Sequence, residues 1–220
     1  MMDRDPPLRI SHLAYGRERR GNRVLYLLDS KGEGGARGVA EAVVLHRWRR
    51  RRMEGYVFSG ARLSPNLWRT LSQAFPGKPS EWLALSVERI EVRVREWREA
   101  GVALPRTLPN AGVLNALFQV CGARRLGQLI ARHTDEARTD RYGTPDLFLF
   151  ATESLSGEPT MARFVEVKKP EEPVSPDQKE EIAFLRSIGL SARVLRLIER
   201  QVVRREGDPD VLAGTAEEEV

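Results

Sequence analysis

The sequence has one cysteine, only five lysines and no long apolar run. Cys121 cannot form an internal disulfide, which fits a reducing compartment, so we expect a cytoplasmic protein, nucleoid-associated if the source is bacterial or viral. No apolar run reaches the length of a membrane span, and the N-terminus lacks the apolar core of a secretion signal. The absence of a GxxxxGK[ST] motif argues against an NTP-driven helicase. Three isolated histidines, without cysteine partners, argue against a structural zinc site.

The charge is unevenly distributed. The net charge is +5 and the isoelectric point is about 9.7. The last fourteen residues hold five acids and no base, so residues 1–206 carry +10. A basic body with an acidic tail favours a polyanionic partner, although a general preference for arginine would give the same charge.

The order of hydrophobic and turn-forming segments predicts an α/β fold with a small mixed sheet flanked by helices. We expect a polar N-terminal arm (1–22), one domain (23–203) and an acidic, disordered tail (204–220). Within the domain, 61–135 is predicted as a helical insertion and 136–200 as the core. Strands are expected at 23–29, 56–60, 146–152, 162–168 and 192–198, and helices at 36–52, 81–100, 111–132 and from Ser175 to Ile188.

Two carboxylates and a lysine stand at the ends of two predicted strands. Asp146 follows Thr-Pro and opens DLFLFAT, whereas Glu166 and Lys168 close ARFVEVK. Residues two apart on a strand share a face, and a turn-rich loop joins the two strands, so we expect all three side chains to meet across the sheet. An Glu-x-Lys pair alone is a common solvated strand face, and Pro-Asp alone is usually a turn. The combination, followed by a capped helix carrying Gln178, favours a nuclease.

Phosphodiester hydrolysis requires an activated water and neutralisation of charge on the phosphate oxygens. Mg²⁺ or Mn²⁺, as one or two ions, supplies both functions and prefers oxygen ligands. We expect Asp146 and Glu166 to bind the ion, with the carbonyl of Val167 as a backbone ligand. Lys168 would orient the water and offset charge in the transition state.

Glu41 is the candidate third carboxylate. It shares a predicted helix face with Leu45 and Trp48, where an unpaired charge would be costly. A bound metal would explain its position, and so would an ion pair with an arginine, which position alone slightly favours.

Cationic runs at helix ends are more often solvated than ligand-binding. The candidate nucleic-acid-binding residues are Arg49, Arg50, Arg52, Arg124, Arg125 and Lys169.

The segments GTPDLFLF and RFVEVKKPEEPVSPDQKEEIAFLRSIGLSARVLRL resemble the VRR-NUC domain (virus-type replication-repair nuclease), a branch of the PD-(D/E)xK superfamily with a restriction-endonuclease-like core. The layout over about 23–200 is similar to the nuclease region of the Fanconi-associated nuclease. The resemblance implies a metal-binding aspartate at Asp146, a metal-binding glutamate at Glu166 and a catalytic lysine at Lys168. It also implies an upstream helical glutamate at Glu41 and a helix glutamine at Gln178.

This resemblance implies Mg²⁺- or Mn²⁺-dependent cleavage of branched DNA in repair or replication. The extra helices between Glu41 and Asp146 favour a 5′ flap endonuclease over a Holliday-junction resolvase, which would act as a homodimer. A non-catalytic DNA-binding or scaffold protein is the alternative from another class. Monomer and homodimer both remain open, and no membrane partner is expected.

Overall fold

A mixed sheet forms the centre of the computed structural model, which describes residues 10–20, 23–27, 37–100, 108–135 and 144–199. Within these ranges there are seven strands, in the spatial order β3-β2-β1-β7-β6-β5-β4, and six helices. The strands are β1 (Ile10–Arg20), β2 (Arg23–Leu27), β3 (Arg37–Gly38), β4 (Tyr56–Arg62), β5 (Leu147–Glu153), β6 (Pro159–Lys168) and β7 (Ala192–Glu199). The helices are α1 (Ala40–Arg49), α2 (Leu67–Ala74), α3 (Pro79–Leu83), α4 (Val87–Glu99), α5 (Ala111–Thr134) and α6 (Pro176–Ser187).

The α/β prediction is confirmed, with two differences near the N-terminus. Part of the expected arm 1–22 is strand β1, which pairs in parallel with β7 inside the sheet. The helix expected at 36–52 is shorter, because residues 37 and 38 pair with β2 and the helix begins at Ala40. The segment 81–100, predicted as one helix, contains the end of α3 and the whole of α4. The acidic tail 204–220 lies outside the described residues.

The β5–β6 hairpin determines the register of the candidate site. The strands are antiparallel, and Leu147 pairs with Val165. Asp146, one residue before β5, therefore lies opposite Glu166. β6 begins three residues earlier than predicted, at Pro159, and so has ten residues against seven in β5. An irregularity in the pairing between Leu149 and Ala151 accommodates the difference.

Each face of the sheet has its own apolar core. Val165 and Val167 point towards α1, where they pack with Leu147 and Trp48. Phe148 and Phe164 point to the opposite face and pack against the helical layer formed by α2–α6. Because side chains alternate along a strand, Glu166 and Lys168 lie on the same face as Phe164. The candidate site thus occupies the end of the face that the helical layer covers.

Helix α5 bends at Gly122, whose backbone (φ 66°, ψ 163°) is accessible almost only to glycine. Helix α5 packs on α3 and α4, and Arg132 near its end pairs with Glu181 of α6.

Helix α6 begins with the predicted capping box. The Ser175 hydroxyl accepts from the backbone N–H of Gln178, and the side-chain Oε1 of Gln178 accepts from the backbone N–H of Ser175. The helix stops before Gly189, which has φ 81°. The start of α6 is therefore held in place next to the end of β6, where Glu166 and Lys168 lie.

Candidate active site

Asp146, Glu166, Lys168 and Gln178 lie together at the start of β5 and the end of β6. Asp146 Oδ2 accepts a hydrogen bond from the Val167 N–H at 2.8 Å. Glu166 Oε1 lies 3.1 Å from Lys168 Nζ and also accepts a hydrogen bond from Gln178 Nε2. Glu166 and Lys168 are each only 3% exposed. Four sequence-predicted residues thus form one connected group, although their roles remain predictions.

The surroundings of Asp146 and Glu166 disfavour the charged forms of both carboxylates. Burial, followed by the charge of Asp146, raises the pKa of Glu166 to about 7. Burial also raises the pKa of Asp146, with a further contribution from Glu41, and these effects outweigh the Val167 N–H bond and the charge of Lys168. A group with a perturbed pKa beside a second acid is typical of functional sites.

Glu172 is the site residue that sequence reasoning missed. Its Oε1 accepts from Lys168 Nζ at 3.2 Å, and its Oε2 accepts from the Lys169 N–H at 3.3 Å. Burial lowers the pKa of Lys168, but the hydrogen bonds and charges of Glu166 and Glu172 outweigh it and raise the pKa. The sequence shows an acid four residues after the lysine, but this spacing becomes informative only when the intervening turn is known.

Glu41 lies near this group without joining it. Its carboxylate is 4.0 Å from Arg62 Nη2, the ion pair that position alone had favoured. It is nevertheless close enough to Asp146 to raise the pKa of that aspartate. Glu41 therefore stands at the edge of the carboxylate pair, with a partner of its own.

The carboxylate pair fits a hard divalent cation in its donor chemistry. Both hydrogen bonds to Glu166 fall on Oε1 and the bond to Asp146 falls on Oδ2, so each carboxylate has a second oxygen facing no hydrogen-bond donor among the described residues. Those residues contain no group of three or more His, Cys, Asp or Glu side chains placed to hold a metal ion. The pair would need backbone or water oxygens to complete its ligands.

The predicted DNA-binding arginines fall into two regions. Arg49, Arg50 and Arg52 are exposed at the end of α1. Arg49 Nη2 donates to the Gly60 carbonyl at 2.6 Å, and Arg52 Nη1 donates to the Arg50 carbonyl at 3.4 Å. The guanidinium groups of Arg49 and Arg52 thus have backbone acceptors, while the side chains remain at the surface.

The second region is less uniform. Arg124 and Lys169 are exposed, whereas Arg125 is half-buried. Arg125 Nε donates to the Ile188 carbonyl at 2.7 Å at the C-terminal end of α6. This bond satisfies a terminal helix carbonyl, so the contact gives Arg125 a structural role. The nucleic-acid role of all six cations stays a prediction.

Comparison with protein families decides the relationship of this chain. The model of the VRR-NUC domain matches residues 85–197, which include β5, β6, α6 and most of β7. The chain belongs to the VRR-NUC domain family. It therefore carries a nuclease-type domain, as the resemblance implied. Comparison with curated proteins gave no match.

Solved structures show where the fold recurs. The chain is similar to paFAN1 in a crystal structure bound to 5′ flap DNA with a 2-nucleotide flap and a gap, with a TM-score of 0.56 and 13% identity. A second paFAN1 structure, with a 1-nucleotide flap, gives a TM-score of 0.53 and 14% identity. In both cases the match covers 91% of this chain and 39% of the paFAN1 chain. At this identity the likeness shows a common fold.

No helix in the described ranges is long and apolar enough to cross a membrane.

Proposed function

We propose that this VRR-NUC protein is a metal-dependent, structure-specific DNA endonuclease of PD-(D/E)xK type that cleaves branched DNA, 5′ flaps above all. The observation that carries the proposal is the cluster formed by the buried Glu166 and Lys168 with the half-buried Asp146. Two acids with raised pKa values face each other beside a lysine in a basic protein. A binding module has no use for such a group, because acids repel the phosphates of DNA.

The residues divide the work of hydrolysis between them. Asp146 and Glu166, with the carbonyl of Val167, would hold Mg²⁺ or Mn²⁺, which activates water and polarises the phosphate when bound. Lys168 carries its positive charge in a site shielded from water, where that charge offsets the negative charge that develops during hydrolysis. Gln178 orients the Glu166 carboxylate by donating a hydrogen bond from its Nε2 to Glu166 Oε1. Glu41 is the proposed outer carboxylate beside Asp146.

The preference for flaps rests on the fold shared with paFAN1, whose structures contain 5′ flap DNA. The chain spans 39% of the paFAN1 chain, so the flap substrate is a proposal for this protein. The exposed arginines at the end of α1, with Arg124 and Lys169, would contact the phosphates. The cytoplasmic location and the choice between monomer and homodimer stay predictions.

The test is cleavage of end-labelled 5′-flap, 3′-flap, four-way junction, single-stranded and linear duplex DNA with Mg²⁺, Mn²⁺ or EDTA. Wild type is compared with Lys168→Ala and with Lys179→Ala, which removes an exposed lysine of α6. We expect metal-dependent cutting of the 5′ flap by wild type and Lys179→Ala, and none by Lys168→Ala with DNA affinity retained.

Other outcomes separate the alternatives. Paired, symmetric incisions in the four-way junction by a dimer would replace flap cleavage with junction resolution. Salt-sensitive binding without cutting on every substrate would favour the non-catalytic protein. Undiminished cutting by Lys168→Ala would contradict the proposed mechanism.

A further inference from the structure

Arg196 on β7 lies beside the candidate active site without touching its carboxylates in the contacts described. β7 runs parallel to β6, and the register pairs Lys168 with Arg196. Side-chain alternation places Arg196 on the face that also carries Glu166 and Lys168. Arg196 Nη1 donates to three backbone carbonyls, those of Lys169, Pro170 and Glu172, with the first at 3.1 Å and the last at 2.9 Å.

Those three carbonyls belong to the turn that follows β6. The Glu172 N–H donates to the Lys169 carbonyl at 3.2 Å, which closes the turn. Backbone carbonyls that point to one side would repel one another and need a donor, and the guanidinium supplies it. Arg196 therefore stabilises the folded form of the turn.

The folded turn returns Glu172 to the lysine. Glu172 accepts from Lys168 Nζ through one oxygen and from the Lys169 N–H through the other. The carboxylate is thus held at both oxygens, and the lysine ammonium lies between Glu166 and Glu172. A continuous series of contacts connects Arg196 to Lys168 through Glu172.

We infer that Arg196 is a positioning residue that holds the Lys168 ammonium in place by fixing the turn that carries Glu172. The inference rests on the proposed function for its effect on cleavage, but its structural part does not need DNA.

Lys168 needs Glu172 as a second acceptor because Glu166 also interacts with other groups. Glu166 also accepts from Gln178 and faces Asp146, and it is the acid proposed to serve a cation. If Glu166 binds a cation, the Lys168 ammonium still has Glu172 as an acceptor. A lysine side chain has a flexible four-carbon stem, so the ammonium becomes mobile when it loses one of its two acceptors. Small misplacements of catalytic groups lower reaction rates steeply.

The first experiment measures the position of Lys168 without measuring activity. The folded protein is labelled by amine acetylation, and the rate at each lysine is read by mass spectrometry. In wild type we expect Lys168 to react slowly, because its side chain is 4% exposed. Arg196→Gln and Glu172→Gln should each raise its rate by about tenfold through local opening, whereas the exposed Lys179 should keep its rate.

Arg193→Gln is the matched control, because Arg193 lies on the same strand with the opposite face alternation. It should leave the Lys168 rate unchanged. If Arg196→Gln does not fold, Arg196→Lys and Glu172→Gln take its place, since lysine keeps the charge but lacks the planar donor group. An unchanged Lys168 rate in the folded Arg196 variant would overturn the inference, as would an equal rise in Arg193→Gln.

The second experiment uses flap cleavage. Arg196→Gln and Glu172→Gln should each lower kcat by about ten- to a hundredfold with KM nearly unchanged. The double variant should be no slower than the slower single variant, because both changes remove the same series of contacts. Multiplying losses would overturn the inference. Inactive wild type would refute the proposed function, and the labelling would then still decide the position of Lys168.

Discussion

Two glutamates in this fold are equally buried, and their surroundings push their pKa values in opposite directions. Glu166 on β6 and Glu181 on α6 are each 3% exposed. Burial raises the pKa of Glu166 to about 7, and Asp146 adds to the rise. Burial acts in the same direction on Glu181, but hydrogen bonds and charges from His133 and Arg132 outweigh it and lower the pKa.

The geometry explains the contrast. Glu181 lies 2.8 Å from Arg132 Nε and 2.9 Å from His133 Nε2, so each of its oxygens has a partner. Glu166 shares its lysine with Glu172 and faces a second acid. Glu181 thus ties α6 to α5, whereas Glu166 is left short of positive charge. A protein tolerates such a deficit where a cation is to bind, at the expense of stability.

The largest expected effect is on cleavage. Glu166→Gln should lower metal-dependent cleavage of 5′ flap DNA by about 10³-fold or more, because it removes a charged ligand of the proposed ion. Glu181→Gln should stay within about tenfold of wild type, because it touches none of the proposed reacting groups. Single-turnover rates of both variants measure the difference. Equal losses would contradict the different roles assigned to Glu166 and Glu181.

The next effect is on stability, and it reverses the order of the two variants. Glu181→Gln should lower the free energy of unfolding by about 2 kcal/mol, because Arg132 loses the buried charge that balances it, although it keeps Glu180, and His133 Nε2 loses its carboxylate partner. Without metal, Glu166→Gln should instead raise it. Thermal unfolding in EDTA at pH 8 tests both signs; a destabilised Glu166→Gln protein would contradict the account.

The pH dependence of stability should also differ in sign. The folded pKa of Glu166 lies above its ordinary value of 4.5, so the stability linked to its proton is full below that value and is lost as pH rises through about 7. The stability from Glu181 is present above 4.5 and is lost as pH falls through its lowered folded pKa. In EDTA, the gain in melting temperature of Glu166→Gln over wild type should therefore grow between pH 5 and 8. The loss in Glu181→Gln should shrink below pH 4.5.

The smallest effect concerns Gln178, which lies on the same helix as Glu181 but contacts Glu166. Gln178→Ala should lower kcat by about tenfold, because the Glu166 carboxylate loses an orienting donor. Ser175→Ala is the control, since it removes the other half of the capping box without touching Glu166. Both should lose about 1 kcal/mol of stability. Matching kcat losses in the two variants would assign the effect to the helix cap.

The central residues of the candidate site could be predicted from the sequence because their spacings are local. Alternation places Glu166 and Lys168 on one face, and a hairpin brings Asp146 opposite them. The capping box likewise follows from residues three apart.

What the sequence did not reveal depends on distant contacts. Strand β1 contains Arg17, Glu18, Arg19 and Arg20, so its composition suggests a solvated arm. Its place in the sheet depends on two pairings, antiparallel with β2 and parallel with the distant β7. Glu172 reaches Lys168 because Arg196, 24 residues further along, holds the turn. The contrast between Glu166 and Glu181 similarly depends on neighbours distant in sequence: α5 brings Arg132 and His133 to Glu181, whereas Asp146 lies beside Glu166.

The most direct test of the central claim is calorimetric titration of Mn²⁺ into the protein without DNA at pH 8, in wild type, Glu166→Gln and Glu181→Gln. The account predicts binding by wild type and by Glu181→Gln, and at least about a tenfold loss of affinity in Glu166→Gln, because Glu166 is a proposed ligand of the ion whereas Glu181 is paired with Arg132 and His133. Equal Mn²⁺ affinity in wild type and Glu166→Gln would contradict it.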